Sequence, residues 1–217
     1  MSSSDFGDYN REQRASFEAI RSACEGLSAM ETEALRKSML PYLRFREELE
    51  RFQVEFFGTA CRSACFDTGL SACCGFESIY TFFADQAISW LFSSEEERSA
   101  LLRAIERPNR TRHCVYLGAG GCIWKVRPVS CAMFLCERVR KEVFEKHSGA
   151  LRHWEDLQRR EKDFTRPDKP VLFDDVEKVF MGLGVDSPHM YCHKSPGLLR
   201  IKVKAGRQAI TAESGGI

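Results

Sequence analysis

Long apolar runs are missing from this chain of 217 residues: none approaches the ~20 residues a helix needs to cross a bilayer. Charge of one sign is missing as well. Lys and Arg total 32 and Asp and Glu total 31, so no global basic field exists and nucleic-acid binding by bulk electrostatics is excluded. Met1 to Tyr9 is polar and acidic, with neither a basic stretch nor an apolar segment after it. A signal peptide is therefore not read, and the cytoplasm is the expected compartment. No internal repeat is visible. Gly118-Ala119-Gly120-Gly121 lacks the lysine and the helix start that a phosphate loop requires. What the chain does have is 43% hydrophobic and 29% charged residues, the balance of a globular protein with a real core.

Apolar spacing gives a mainly helical reading. Residues 1–10 read as a flexible tail. A helix is expected from Arg11 to about Cys24. Ser28 with Glu31 is a capping box, and Leu35, Met39, Tyr42, Leu43, Leu49, Phe52 and Phe56 then form one stripe, expected to end before Gly58 and to kink at Pro41. Residues 11–58 are thus N-terminal helices packing on the core. Thr59 to Glu77 has no period and reads as an irregular loop. Ile79 to Phe92 is an apolar helix. Ser94 with Glu97 caps another helix, stopped by Pro108. Val115-Tyr116-Leu117 and Ile123-Trp124 flank the Gly-rich turn as a small β-hairpin. Pro128 is expected to open a helix running to about His147, with Gly149 just beyond it. A charged helix over 150–162, a helix from Asp174 to Leu183 and a late strand at Leu199, Ile201 and Val203 complete the domain over 59–204. Residues 205–217 read as a disordered tail.

Cysteine is the anomaly. Ten are present, too few for a disulfide scaffold of this length and, in a reducing compartment, more in keeping with metal ligands or redox centres. Eight fall in two blocks: Cys61, Cys65, Cys73 and Cys74, then Cys114, Cys122, Cys131 and Cys136. Four thiols per block is what a tetrahedral zinc site or a cubane iron–sulfur cluster takes, and sulfur suits both metals. Small residues (Ala60, Ala64, Ala72, Gly75) let the backbone bend close to an ion. Cys131 falls in the first turn of the helix after Pro128, where free N–H groups favour a thiolate. Arg62, Arg112, Lys125 and Arg127 are placed to offset the thiolate charge. Adjacent Cys73 and Cys74 either face two ions or split into one ligand and one packed thiol. Cys136 stands about 140° round an ideal helix from Cys131 and shares its site only if that helix is irregular. Cys24 reads as packing, and Tyr191-Cys192-His193, after His189, as an exposed loop. His113 reads as solvent-facing, with a role behind Cys114 as the alternative.

The Cys-rich loop ending in Cys73-Cys74, followed by Cys122-Ile123 and then Arg127-Pro128-Val129-Ser130-Cys131 with Phe134, resembles the YkgJ-type cysteine-cluster family, a CxxCxxCC zinc- or iron-chelating domain. The likeness covers roughly residues 59–140 and falls on Cys61, Cys65, Cys73, Cys74, Cys114, Cys122 and Cys131. The first block is more widely spaced than the family pattern, Ala132 stands where arginine is usual, and Cys136 is an addition. The resemblance implies chelation of zinc or an iron–sulfur centre. Its alternative is an iron–sulfur redox or methyl-transfer enzyme, since flagellin lysine N-methylases carry a related cluster. No general acid, base or nucleophile is identifiable, so binding is the leading reading. The expectation is an α-rich protein with an irregular Cys-rich metal-binding core, a metal ion as partner, an unidentified protein partner, and no nucleic acid or membrane.

Overall fold

The computed structural model describes residues 3–69, 71, 74–75, 81–107, 113–165 and 170–190. Among the described residues eight α-helices run in the order α1 (Ser3–Glu25), α2 (Ala29–Cys61), α3 (Phe83–Phe92), α4 (Glu95–Glu106), α5 (Val129–Ala132), α6 (Glu137–Lys146), α7 (Ser148–Thr165) and α8 (Leu172–Gly182). A π-helical turn, Arg62–Phe66, extends α2. One antiparallel hairpin, β1 (Leu117–Gly118) with β2 (Gly121–Cys122), lies between α4 and α5. Among the described residues no helix is long and apolar enough to cross a membrane. Expectations on Cys73, Arg112, Cys192, His193, the strand near Leu199 and the tail at 205–217 lie outside the described residues.

The α3 helix is the centre. Every residue from Phe83 to Leu91 is buried, including Asp85, Gln86 and Ser89, so the helix is enclosed on all sides. Helices α1, α2 and α8 pack against it, α4 packs on α1, and α6 and α7 lie on α2. The α2 stripe supplies Leu35, Met39, Tyr42, Phe45, Leu49 and Phe52 to the core. Phe52 meets Phe56, Phe57 and Trp154 with ring centroids 5.1, 5.9 and 5.8 Å apart. Such aromatic pairs add about 0.5–1.5 kcal/mol each to the area they bury. A buried polar chain crosses the other side. Gln86 Nε2 donates to Gln13 Oε1 (2.8 Å), Tyr116 Oη donates to the same oxygen (3.1 Å), and Ser187 Oγ bonds Ser16 Oγ (3.0 Å), joining α1, α3, the hairpin and the segment after α8.

Both capping boxes form. Ser28 and Glu31 satisfy each other's backbone N–H at α2, as do Ser94 and Glu97 at α4. Ser28→Ala removes one such bond and is expected to cost about 1 kcal/mol, read as a lower urea midpoint at unchanged slope.

Three expectations are corrected. Residues 3–10, expected as part of a tail, are helical: α1 begins at Ser3, Tyr9 is half-buried, and Asn10 Nδ2 donates to Ile105 O (3.1 Å) and Arg107 O (3.2 Å), capping α4 from outside. The α2 helix does not stop before Gly58 but continues to Cys61. Gly149 lies just past the end of α6, as expected, and within the first turn of α7. The helix expected from Pro128 to His147 is two helices, α5 and α6, separated by Met133–Cys136. In the last case a side chain from α2 takes the Ala132 carbonyl, so the helical ladder is cut there.

Candidate metal centre

The first cysteine block is only partly loop. Cys61 is the last residue of α2, and Cys65 lies in the π-helical turn, a local geometry frequent at functional sites. The chain then reverses around Ser71. Its N–H donates to Cys65 O (3.1 Å) and its carbonyl accepts from Cys74 N (2.8 Å). Ser71 does this at φ 37°, in the left-handed region that a side chain makes costly. Strain held at that point ties Cys65 and Cys74 into one bend.

The second block is stitched to the first. Cys114 N donates to Cys74 O at 2.7 Å, and Gly75 and His113 form an antiparallel bridge beside it. His113 is therefore half-buried in this seam, not simply solvent-facing. Cys114 begins the approach to the hairpin, and its Sγ accepts the N–H of Tyr116 (3.4 Å) and of Leu117. Cys122 closes β2, and its Sγ accepts the N–H of Trp124. Gly121, at φ 109°, makes the reversal that a residue with Cβ resists. Backbone N–H groups aimed at sulfur favour the thiolate form over the thiol.

Two adjoining clefts open between these parts. One, of about 410 Å³, is lined by Cys61, Cys65, Cys74 and Cys136 with Phe66, Phe134, Leu135 and Val139. The other, of about 430 Å³, is lined by Cys61, Cys122 and Cys131. Cys61, Gly120, Gly121, Phe134 and Leu135 border both, so the clefts form one thiol-lined groove. Cys136 joins the first block because the helix breaks before it and restarts with Cys136 as the N-cap of α6. Within this gathering, no three Cys, His, Asp or Glu side chains among the described residues are close enough to grip a single ion.

Two of the second block's thiols are held neutral. Burial pushes the Cys114 thiol up to about 12 and the Cys131 thiol up to about 11, with the fields of neighbouring thiols adding to the effect. This corrects the expectation that a helix start would favour the Cys131 thiolate. The α5 helix has four residues and a correspondingly small dipole, its first N–H is already taken by Asp85, and that carboxylate's field opposes a second negative charge. The basic residues are also committed. Arg62 pairs with Asp67 (3.5 Å), Lys125 with Glu97 (3.3 Å), and Arg127 donates to Gln53 Oε1 (2.7 Å). Cys24 lies apart, packed against the core, its thiol raised to about 11 by burial. His189 is drawn inward, its carbonyl accepting from Phe83 N (3.1 Å).

Sequence reading passed over Asp85. It is 1% exposed within the most apolar helix, and burial raises its carboxyl to about 7 against the opposing pull of Arg46. A lone acid in the run Phe83 to Phe92 was the available signal. Tyr9 was also missed; burial and the field of Cys114 hold its phenol far above its ordinary range.

Fold and groove together define a helical protein that brings Cys61, Cys65 and Cys74 of the first block and Cys122, Cys131 and Cys136 of the second to one surface groove, with Cys114 in the seam but lining neither cleft. Comparison of the chain with family models, with curated proteins and with solved structures gives no match.

Proposed function

We propose that this protein binds a soft metal, zinc or the iron of an iron–sulfur centre, through the thiolates of Cys61, Cys65, Cys74, Cys114, Cys122, Cys131 and Cys136, with Cys73 of the same block. The observation that carries this reading is the seam at Cys74 and Cys114, which draws the two blocks onto one groove. The donor chemistry fits: sulfur ligands of this density suit zinc and iron, and N–H groups already point at Cys114 and Cys122. The resemblance to the YkgJ-type cysteine-cluster family supports the same reading. A bound ion would cross-link α2, the hairpin and α5. The thiols would have to close on the ion from their present spacing and give up their protons.

Two measurements test it. Protein purified anaerobically is expected to contain zinc or iron by elemental analysis, colourless in the first case and visibly absorbing in the second. Metal added to the apo protein at pH 7 is expected to release protons, because burial keeps the Cys114 and Cys131 thiols neutral, and to bind more tightly as pH rises. Protein that neither carries nor takes up a transition metal refutes the proposal.

A further inference from the structure

We propose that Asp85 and Gln53 are positioning residues for Cys131, gripping α5 at both ends so that its thiol lines the groove. A helix of four residues lies far below the length that is stable alone, and this one has no local cap. Pro128 occupies the N-cap position and offers no side-chain acceptor. The missing acceptor comes from α3: Asp85 Oδ1 accepts Val129 N at 2.9 Å, while Oδ2 accepts Phe82 N at 3.3 Å and caps α3 itself. At the other end the donor comes from α2. Gln53 Nε2 donates to Ala132 O, and Gln53 Oε1 accepts from Arg127 at 2.7 Å, fixing the approach to Pro128. One buried carboxylate and one half-buried amide thus replace the caps that the sequence around Cys131 lacks. Neither is a soft ligand; each acts through the geometry it imposes on Cys131.

The ligand role of Cys131 rests on the metal-binding reading, whereas the grip on α5 does not, and it is measured without metal. Full-length apo protein is treated with iodoacetamide, and the alkylation rates of Cys131 and Cys24 are followed by peptide mass spectrometry. Gln53→Ala is expected to raise the Cys131 rate about fivefold, the factor equivalent to one hydrogen bond of about 1 kcal/mol, with the Cys24 rate unchanged. Asp85→Ala is expected to raise it further. Met30→Ala, at an exposed residue that lines neither cleft, is expected to change neither. If Asp85→Ala does not fold, Gln53→Ala decides the matter. Zinc titration of the same variants separates the two ideas: a faster Cys131 in a chain that binds no zinc keeps the grip and removes the metal reading. A Cys131 rate that stays at the wild-type value in Gln53→Ala, or one that rises only in step with Cys24, overturns the proposal.

Discussion

Stripping bound metal with a chelator is expected to lower the thermal midpoint by about 10 °C. An ion held at a thousandfold excess over its dissociation constant stabilises the native state by about 4 kcal/mol, and for a chain of this size each kcal/mol moves the midpoint by about 2–4 °C. The effect should be this large because the proposed ligands line a groove above the core: α5 and the residues flanking the hairpin are anchored below it through Val129, Ala132, Tyr116 and Trp124, and an ion would add the cross-link on the groove side. Cys131→Ser should reproduce most of the loss and reduce metal content. Cys24→Ser, at a thiol packed on α1 away from the groove, should leave metal content unchanged. Equal behaviour of the two variants in elemental analysis and in a thermal scan would show that the ligands are misassigned.

The second large effect is a dependence of stability on pH set by Asp85. Its folded carboxyl sits at about 7, raised chiefly by burial, against about 3.9 in an unfolded chain. The native state therefore holds a proton that the unfolded state has released. Stability from this group is fully present below about pH 4 and is lost as pH rises through about 7, amounting to about 4 kcal/mol in total. Roughly 2 kcal/mol of it falls between about pH 5.5 and 8, clear of ordinary carboxylates. The histidines titrate in the same window, so the comparison is with Asp85→Asn, which keeps an acceptor for Val129 N and has no proton to lose. Urea unfolding across that range should show the wild-type free energy falling relative to the variant. Parallel curves would mean that Arg46 and the two backbone donors hold the carboxylate ionised throughout.

Gln53 and Asp85 also show where sequence reading stops. The two capping boxes, the α2 stripe, the apolar α3 and the Gly-rich hairpin are each determined by residues within one or two turns of one another; the capping boxes form where the spacing puts them, while α3 begins at Phe83 and not Ile79 and the hairpin pairs Leu117–Gly118 with Gly121–Cys122, closer to the turn than the strands expected. The cysteine blocks are equally plain as composition. Their arrangement is not. Nothing near Arg62–Phe66 announces that α2 will run on through Gly58 and widen into a π-helical turn, and nothing near Asn10 announces that its partners are carbonyls at the end of α4.

The amino-acid order by itself settled a mainly helical chain with one hairpin and two sulfur-rich stretches, because helix periodicity, caps and turns are short-range physics. The tertiary structure alone decided which sulfur atoms share a groove, that burial keeps the proton on Cys131, and that Cys131 sits on a short turn held from outside. Those outcomes depend on burial and on hydrogen bonds between residues scores of positions apart, such as Asp85 with Val129 and Gln53 with Ala132. No local pattern encodes a partner that folding brings from the other side of the molecule.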